Sequence, residues 1–139
     1  MIFSCFDTVM FSDVDMSGMG HFAQQIRLLE RAEYQFMAHV GLPPQEWFMK
    51  RYLFPRVKLD VQFFSPLQFA DEIRFDVQVG HMGTTSFSLD THIVKVATEE
   101  KAMWSRMVMV VLDPKTGQPT PLPAEMREAF TPYLVDSQI

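Results

Sequence analysis

Polar and hydrophobic residues alternate along several segments of the chain, with the two-residue period of a β-strand whose faces meet different environments. A first strand is predicted over residues 3–11, where aromatic residues are frequent and Ser12-Asp13 gives a turn signal. Strict alternation predicts three further half-buried strands, over residues 56–63, 73–79 and 87–93. Residues 102–112 are hydrophobic on both faces, which predicts a strand at the centre of a sheet or at a subunit contact.

A three- and four-residue period replaces the alternation between Met19 or Gly20 and Val40 and predicts one long amphipathic helix. Its hydrophobic face is predicted to contain Phe22, Ile26, Leu29, Ala32, Phe36 and Val40. The polar face carries Gln24, Arg27, Glu30 and Arg31. Gly41 and the prolines that follow it end the helix, and a second, short helix is predicted over residues 124–133.

One long helix followed by antiparallel strands is the α+β pattern in which a sheet packs over a helix. The chain has 139 residues, 47% of them hydrophobic, which suits one domain spanning residues 1–139. Thirteen Phe and eleven Met are many for this length. We therefore expect that part of the apolar surface is covered by another subunit in a homodimer or homotetramer.

Charge and composition exclude several classes of protein. The net charge is −5 and the basic residues are scattered, so nucleic acid is not expected as a partner. The N-terminus lacks a targeting pattern and no apolar run is long enough to span a bilayer, so we expect a cytoplasmic protein. Cys5 is the only cysteine and is expected to be a buried apolar side chain, and no clustered ligands indicate a metal site.

The segment from Phe11 to Phe22 has the sequence FSDVDMSGMGHF and holds the candidate chemistry. A strand-like run ends in the carboxylates Asp13 and Asp15, passes two glycines and opens into the long helix. Unpaired N–H groups at a helix N-terminus can polarise a carbonyl, and glycines let the backbone approach a substrate closely. A carboxylate beside them would face that carbonyl, which is how an acyl-transfer site could be built.

This segment, with the later GLPP at 41–44 and DPKTGQP at 113–119, resembles the 4-hydroxybenzoyl-CoA thioesterase family of hotdog-fold enzymes. The resemblance extends over nearly the whole chain. Its most specific part is Asp-x-Asp-x-x-Gly followed, twelve residues after Gly18, by the acidic Glu30. It implies a long helix wrapped by a curved antiparallel sheet, with sheets joined edge to edge in a dimer and active sites between subunits.

The resemblance also implies roles for residues of the segment. Asp15 would attack the thioester carbonyl or activate water, and the Phe22 backbone N–H would bind the developing oxyanion. Gly18 and Gly20 would shape the loop. His21 could orient water or contact the substrate, or could simply cap the helix.

Other carboxylates near this segment have two interpretations each. Asp13 could raise the pKa of its neighbour Asp15 by like-charge repulsion, although we prefer a structural role in bonding backbone N–H groups. Some hotdog enzymes use a helix carboxylate instead of the loop aspartate, so the resemblance makes Glu30 and Glu33 the reserve nucleophile or base in place of Asp15. The simpler interpretation of Glu30 is an ion pair with Arg27 or Arg31 on the exposed face of the helix.

Substrate contacts are harder to place, because the basic residues that relatives use to bind coenzyme A phosphates are replaced here by MGTTSF at 82–87. The hydroxyl groups in this stretch could still bind the pantetheine arm: Thr84, Thr85 and Ser86. Arg56 or Lys58 could bind the phosphates. Asp60, with Phe54-Pro55, matches a strand that lines the acyl pocket in relatives, and Trp47 and Tyr52 could close that pocket.

These observations predict an acyl-CoA thioesterase that hydrolyses an aromatic or a short- or medium-chain acyl thioester. No cofactor is expected, since coenzyme A is part of the substrate. A carrier-protein thioester is an alternative substrate. The alternative functions are a hotdog hydratase or dehydratase, with His21 and a helix glutamate of the partner subunit, and a non-catalytic acyl-binding hotdog protein.

Overall fold

The computed structural model describes residues 1–135 and contains one five-stranded antiparallel sheet in the order β1-β3-β4-β5-β2. The strands are β1 Phe3–Thr8, β2 Arg56–Phe63, β3 Glu72–Met82, β4 Ser86–Lys95 and β5 Glu100–Val110. The helices are α1 Phe22–His39, α2 Pro44–Trp47 and α3 Ala124–Phe130. The α+β prediction is confirmed. Residues 136–139 of the predicted single domain lie outside the described residues.

The long helix α1 lies on one face of the sheet, over β1, β3 and β4. Its core-facing positions are Gln25, Leu28, Leu29, Ala32, Glu33, Phe36 and Met37. The predicted hydrophobic face was therefore right for its middle and wrong at its start, because Phe22 is 63% exposed. Two polar residues, Gln25 and Glu33, also face the core, at positions that the predicted hydrophobic face did not include.

Local turns account for the other differences between prediction and structure. The first strand stops at Thr8 because Val9 donates its N–H to the Asp71 carbonyl and a 3-10 turn follows over Phe11–Asp13. The short helix α2, which the sequence did not predict, begins at a proline in its first turn, a favoured position for proline. The C-terminal helix was predicted correctly, and its last turn is of the 3-10 type over Thr131–Tyr133.

The strands nearest one edge of the sheet differ most from expectation. β5 is an inner strand as predicted, but Trp104 and Val108 on the face away from α1 are only half-buried. The prediction that β2 is half-buried is wrong for the single chain, since all its residues except Val61 are exposed. β2 is an edge strand, and α1 packs over β1, β3 and β4, which lie toward the opposite edge of the sheet.

Cys5 faces the hydrophobic core from β1, as expected, and is half-buried. Burial, followed by the nearby carboxylates of Asp7 and Asp76, raises the pKa of its thiol to about 11. A thiol with so high a pKa is a poor nucleophile at neutral pH. Within the described part of the chain, no helix has the length and apolar character required to cross a membrane.

Candidate active site

The loop between the first 3-10 turn and α1 folds back on itself as a tight turn. Val14 pairs with Gly20 as an antiparallel bridge, the Asp15 N–H bonds the Met19 carbonyl at 2.9 Å, and the Gly18 N–H bonds the Asp15 carbonyl at 3.0 Å. Gly18 has φ +82°, a left-handed conformation that residues with a side chain rarely adopt. The turn therefore depends on glycine at this position, and it keeps Asp15 near the start of α1.

The Asp15 carboxylate is exposed and is held by one neighbour. Its Oδ1 accepts the backbone N–H of Ser17 at 2.8 Å and the Ser17 hydroxyl at 2.5 Å. These two hydrogen bonds stabilise the charged form and lower the pKa of Asp15 below its ordinary value of 3.8. The group is therefore ionised at neutral pH, and its other oxygen is free of hydrogen bonds within the described residues.

Phe22 is the first residue of α1, so its backbone N–H has no carbonyl partner within the helix. No other acceptor in residues 1–135 bonds this N–H. His21 is the N-cap residue: its Nδ1 accepts the Ala23 N–H at 3.3 Å, and its ring stacks on the Phe22 ring with centroids 4.9 Å apart. His21 therefore caps the helix here, and a role for it in catalysis stays a prediction.

Asp13 holds the loop to neighbouring segments of the chain. It is buried, and its Oδ2 accepts the Met10 N–H at 2.8 Å and Arg31 Nη2 at 3.0 Å. Arg31 also approaches Asp7, and the Asp13 carbonyl accepts the His21 N–H at 3.2 Å. The structural interpretation of Asp13 fits these contacts. The alternative that it raises the pKa of Asp15 does not, because Arg31 compensates its charge and the pKa of Asp15 is lowered.

The two reserve carboxylates on α1 lie in different surroundings. Glu33 is buried, and its two oxygens accept hydrogen bonds from Arg56 at 2.6 and 2.8 Å, which leaves it poorly suited to attack a thioester. Glu30 is exposed, and in the described residues it forms no ion pair. The expected pair with Arg31 is absent because Arg31 turns to Asp7 and Asp13.

The predicted phosphate and pocket residues of β2 point to opposite faces of the sheet. Arg56 turns inward to Glu33, with its guanidinium 5.9 Å from the centre of the Phe48 ring, and a role for it in binding phosphate stays a prediction. Lys58 and Asp60 lie on the face away from α1, 3.7 Å apart. Asp60 therefore does not line a pocket beside the helix, which corrects that expectation for the single chain.

Of the three hydroxyl residues, Thr84 and Thr85 lie in the turn between β3 and β4, and Ser86 is the first residue of β4. The candidate loop lies near the other end of β3, where the Gly20 N–H donates a hydrogen bond to the Leu67 carbonyl. Eleven residues of β3 separate these ends, roughly 35 Å of extended strand. Within one chain, these hydroxyls are not next to Asp15. Trp47 is also not a pocket residue, since it is buried in the core and stacks on Tyr52 at 5.7 Å.

Cavities adjoin α1 both at its start and along its length. A cavity of ≈ 310 Å³ lies beside the helix start and is bounded by Gly20, Phe22, Gln25, Phe63, Phe64, Ser65 and Pro66. A larger one of ≈ 570 Å³ runs along the helix, and its wall includes Ile26, Tyr34, Phe48, Arg56 and Met107. Sequence reasoning missed Gln25. The available signal was its position three residues before Leu28, on the buried face of the helix.

Comparison with known proteins identifies the family. Residues 9–130 match the thioesterase-like superfamily. The chain belongs to the thioesterase-like superfamily. The resemblance to hotdog thioesterases is thereby confirmed, as is the prediction of a thioester hydrolase at the level of the family.

Individual members of this thioesterase-like superfamily resemble the chain over most of their length. The 1,4-dihydroxy-2-naphthoyl-CoA hydrolase of Thermosynechococcus vestitus is 25% identical over 126 residues, which are 88% of this chain and 86% of the relative. The acyl-CoA thioester hydrolase YbgC of Escherichia coli is 24% identical over 122 residues, 88% of this chain and 90% of that protein.

Solved structures show the same fold. The 1,4-dihydroxy-2-naphthoyl-CoA thioesterase Slr0204 from Synechocystis superposes with a TM-score of 0.86 at 18% identity, covering 94% of this chain and 96% of its own. The gentisyl-coenzyme A thioesterase BH1999 has a TM-score of 0.80 at 25% identity, covering 92% and 98%. The hotdog architecture predicted from the sequence is confirmed.

Proposed function

We propose that this thioesterase-like protein hydrolyses an acyl-CoA thioester to a free acid and coenzyme A, with Asp15 and the Phe22 N–H as its catalytic groups. One observation carries the proposal. An exposed, ionised carboxylate and an unbonded amide at the first residue of a helix lie on the same loop. The buried Asp13 and Arg31 fix that loop to α1, so both groups are positioned before the substrate binds.

The reaction uses these two groups together in the step that attacks the carbonyl. The carbonyl oxygen of the thioester accepts the Phe22 N–H, which stabilises the negative charge that develops as the carbon becomes tetrahedral. Asp15 either attacks the carbonyl carbon, giving an anhydride that water then cleaves, or takes a proton from the attacking water. In both routes the C–S bond breaks and the leaving thiolate takes up a proton. No cofactor is required, because coenzyme A enters as part of the substrate.

The acyl group is proposed to be aromatic or of short to medium chain length. The cavity of ≈ 570 Å³ along α1 has a size typical of small-molecule sites, and its wall combines the apolar side chains of Ile26, Phe48 and Met107 with polar and charged ones. It includes Ile26, which is one helical turn from Phe22, so an acyl chain could run from the polarised carbonyl along the helix. The relatives named for 1,4-dihydroxy-2-naphthoyl-CoA act on an aromatic acyl group.

We also propose a homodimer formed through β2. This strand is an unpaired sheet edge, and Val57, Leu59 and Phe63 on it are exposed. An exposed edge with large apolar residues is a surface that proteins usually cover. Pairing two copies of β2 around a two-fold axis would make one continuous antiparallel sheet of ten strands, five from each chain.

This pairing would bring a predicted coenzyme A-binding residue of one chain, Lys58, toward the Asp15 loop of the other. Phe63 lies at the end of β2 near the candidate loop, and Lys58 lies toward the other end. In an antiparallel pair of β2 strands, the loop end of one chain faces the opposite end of the other. Lys58 of the partner subunit could then reach coenzyme A bound at Asp15, which one chain alone does not allow.

The function is tested by measuring free thiol released from a panel of acyl-CoA esters, from acetyl and octanoyl to benzoyl and naphthoyl. We expect turnover of at least one aromatic or medium-chain ester, with free acid as the second product. Binding without thiol release would favour the non-catalytic acyl-binding protein. Hydration or dehydration of hydroxyacyl esters without thiol release would favour the hydratase, whose histidine is occupied here as a helix cap.

The dimer is tested by placing a charge on its proposed interface. Leu59→Arg adds a cation to the helix-facing side of the edge strand, where two copies would repel one another. We expect the dimer mass measured by light scattering to fall to that of a monomer. Gln62→Arg, on the other face of the same strand, is the matched control and should leave the mass unchanged. A wild-type protein that is monomeric at high concentration would contradict the proposal.

A further inference from the structure

Gln25 presents an amide group with no protein partner from a core-facing position of α1. The residue is only 6% exposed, its side chain forms no hydrogen bond with any described residue, and its amide opens on a cavity and is not sealed inside the core. Buried amides are nearly always hydrogen-bonded, because losing water without gaining a partner costs free energy. A helix position that faces the core would ordinarily hold a hydrophobic side chain. Gln25 is an exception, and its unpartnered amide is available to a ligand that enters the cavity beside it.

The direction of the side chain shows where such a ligand would lie. Gln25 is three residues after Phe22, so both residues lie on neighbouring parts of the helix surface. Its side chain extends back toward the helix N-terminus and lies over Gly20, where an added Cβ would overlap the amide nitrogen. The absence of a side chain at residue 20 is therefore what gives the amide its position.

The amide borders an open cavity together with Phe22. This cavity of ≈ 310 Å³ is otherwise walled mostly by apolar groups, including Phe63, Phe64 and Pro66. A polar ligand atom that enters it meets Gln25 as a side-chain donor and the first N–H groups of α1 as backbone donors. Such hydrogen bonds are stronger against an apolar wall once a bound acyl group displaces the competing water.

We infer that the Gln25 side-chain NH₂ is a second hydrogen-bond donor to the thioester carbonyl oxygen, beside the Phe22 N–H. The inference rests on the proposed thioester hydrolysis and adds a catalytic residue to it. Negative charge moves onto this oxygen as the carbon becomes tetrahedral. The Gln25 amide, for which Gly20 leaves room, therefore stabilises the transition state more than the ground state. When the intermediate collapses, an electron pair of the oxyanion reforms the C=O bond and the C–S bonding pair leaves with the thiolate sulfur, while the Gln25 amide gains and loses no proton.

The first test is Gln25→Met, which keeps an unbranched side chain of similar size and removes the donor. On the best acyl-CoA ester of the panel, we expect kcat to fall by about 10²-fold while KM changes little, as for loss of one oxyanion donor. Gln24→Met is the matched control: this neighbour is half-exposed and should keep wild-type kcat. A Gln25→Met protein with kcat within about threefold of wild type would overturn the inference.

A second variant separates catalysis from folding. Gly20→Ala should push the Gln25 amide aside, which its flexible end allows, and should lower kcat in the same way. In the Gln25→Met background, Gly20→Ala should have little further effect, because the donor that it displaces is already gone. Fully additive losses in folded proteins would contradict the inference, since they would mean that the two residues act independently.

A spectroscopic measurement gives a readout that does not depend on turnover. In an Asp15→Asn background, the infrared carbonyl stretch of a bound, ¹³C-labelled acyl-CoA should lie below its value in water. Adding Gln25→Met should move the stretch back toward that value, and an unchanged stretch would refute the contact. Failure of the proposed function has a different signature, because the wild type would then release no thiol from any ester.

Discussion

Replacement of Asp15 by asparagine should reduce thiol release from acyl-CoA esters by about 10³-fold or more, the largest effect expected of any single change. An amide at this position neither attacks a carbonyl nor accepts a proton from water. The loop should keep its shape, because the Asn oxygen can still accept the Ser17 N–H that Asp15 accepts at 2.8 Å. Thiol release with a chromogenic disulfide, at equal thermal stability of both proteins, measures the effect.

Asp113→Asn is the matched control for this change. Asp113 is a turn residue whose Oδ1 accepts the N–H of Lys115 two positions later at 2.7 Å, the same local arrangement as Asp15 with Ser17. It lies outside the candidate loop and should keep full activity. Equal losses in both variants, or wild-type turnover in Asp15→Asn, would remove Asp15 from the mechanism.

The pH profile should reflect the lowered pKa of Asp15. The Ser17 hydrogen bonds stabilise the ionised carboxylate, so the active form persists from neutral pH down to the ordinary aspartate pKa of 3.8 and is lost only below it. Ser17→Ala removes the hydroxyl contact and should shift the acid limb of kcat/KM to higher pH. An acid limb near pH 6 in the wild type would mean that another group titrates.

Phe22→Pro should lower kcat by about 10²- to 10³-fold, because it deletes the backbone N–H proposed to bind the oxyanion. Proline is favoured at the first position of a helix, where that N–H has no intrahelical partner, so α1 should still form. His21 already has the extended backbone, φ −79° and ψ 133°, that a residue before proline prefers. Steady-state kinetics and circular dichroism together measure the loss and the helix content.

Phe22→Ala separates the backbone from the ring. This variant keeps the N–H and removes the exposed aromatic side chain with its contact to His21. It should retain kcat within about tenfold of wild type, with any loss mainly in KM. If Phe22→Ala were as damaging as Phe22→Pro, the ring rather than the N–H would be the group that matters.

Local patterns in the sequence were sufficient for most of the architecture. The period of two predicted β3 and β4, and the period of three to four predicted α1, because these patterns depend only on which side chains share a face. The spacing of Asp15, Gly18 and Phe22 likewise indicated a turn leading into a helix. These residues are close in sequence, so their relative positions follow from backbone geometry alone.

Long-range contacts determined the parts that the sequence left open. Arg56 was expected to face a phosphate, but its partner Glu33 is 23 residues away in sequence and becomes a neighbour only when β2 and α1 pack together. The irregular register between Arg56 and Lys58 places Arg56 on the helix-facing side of β2 and Asp60 on the other, whereas strict alternation would put both on one face. The sequence alone thus determined the elements and the candidate loop. Only the tertiary structure decided the partners of Arg56, the exposure of β2 and the unpaired amide of Gln25, because each depends on which distant segments come into contact.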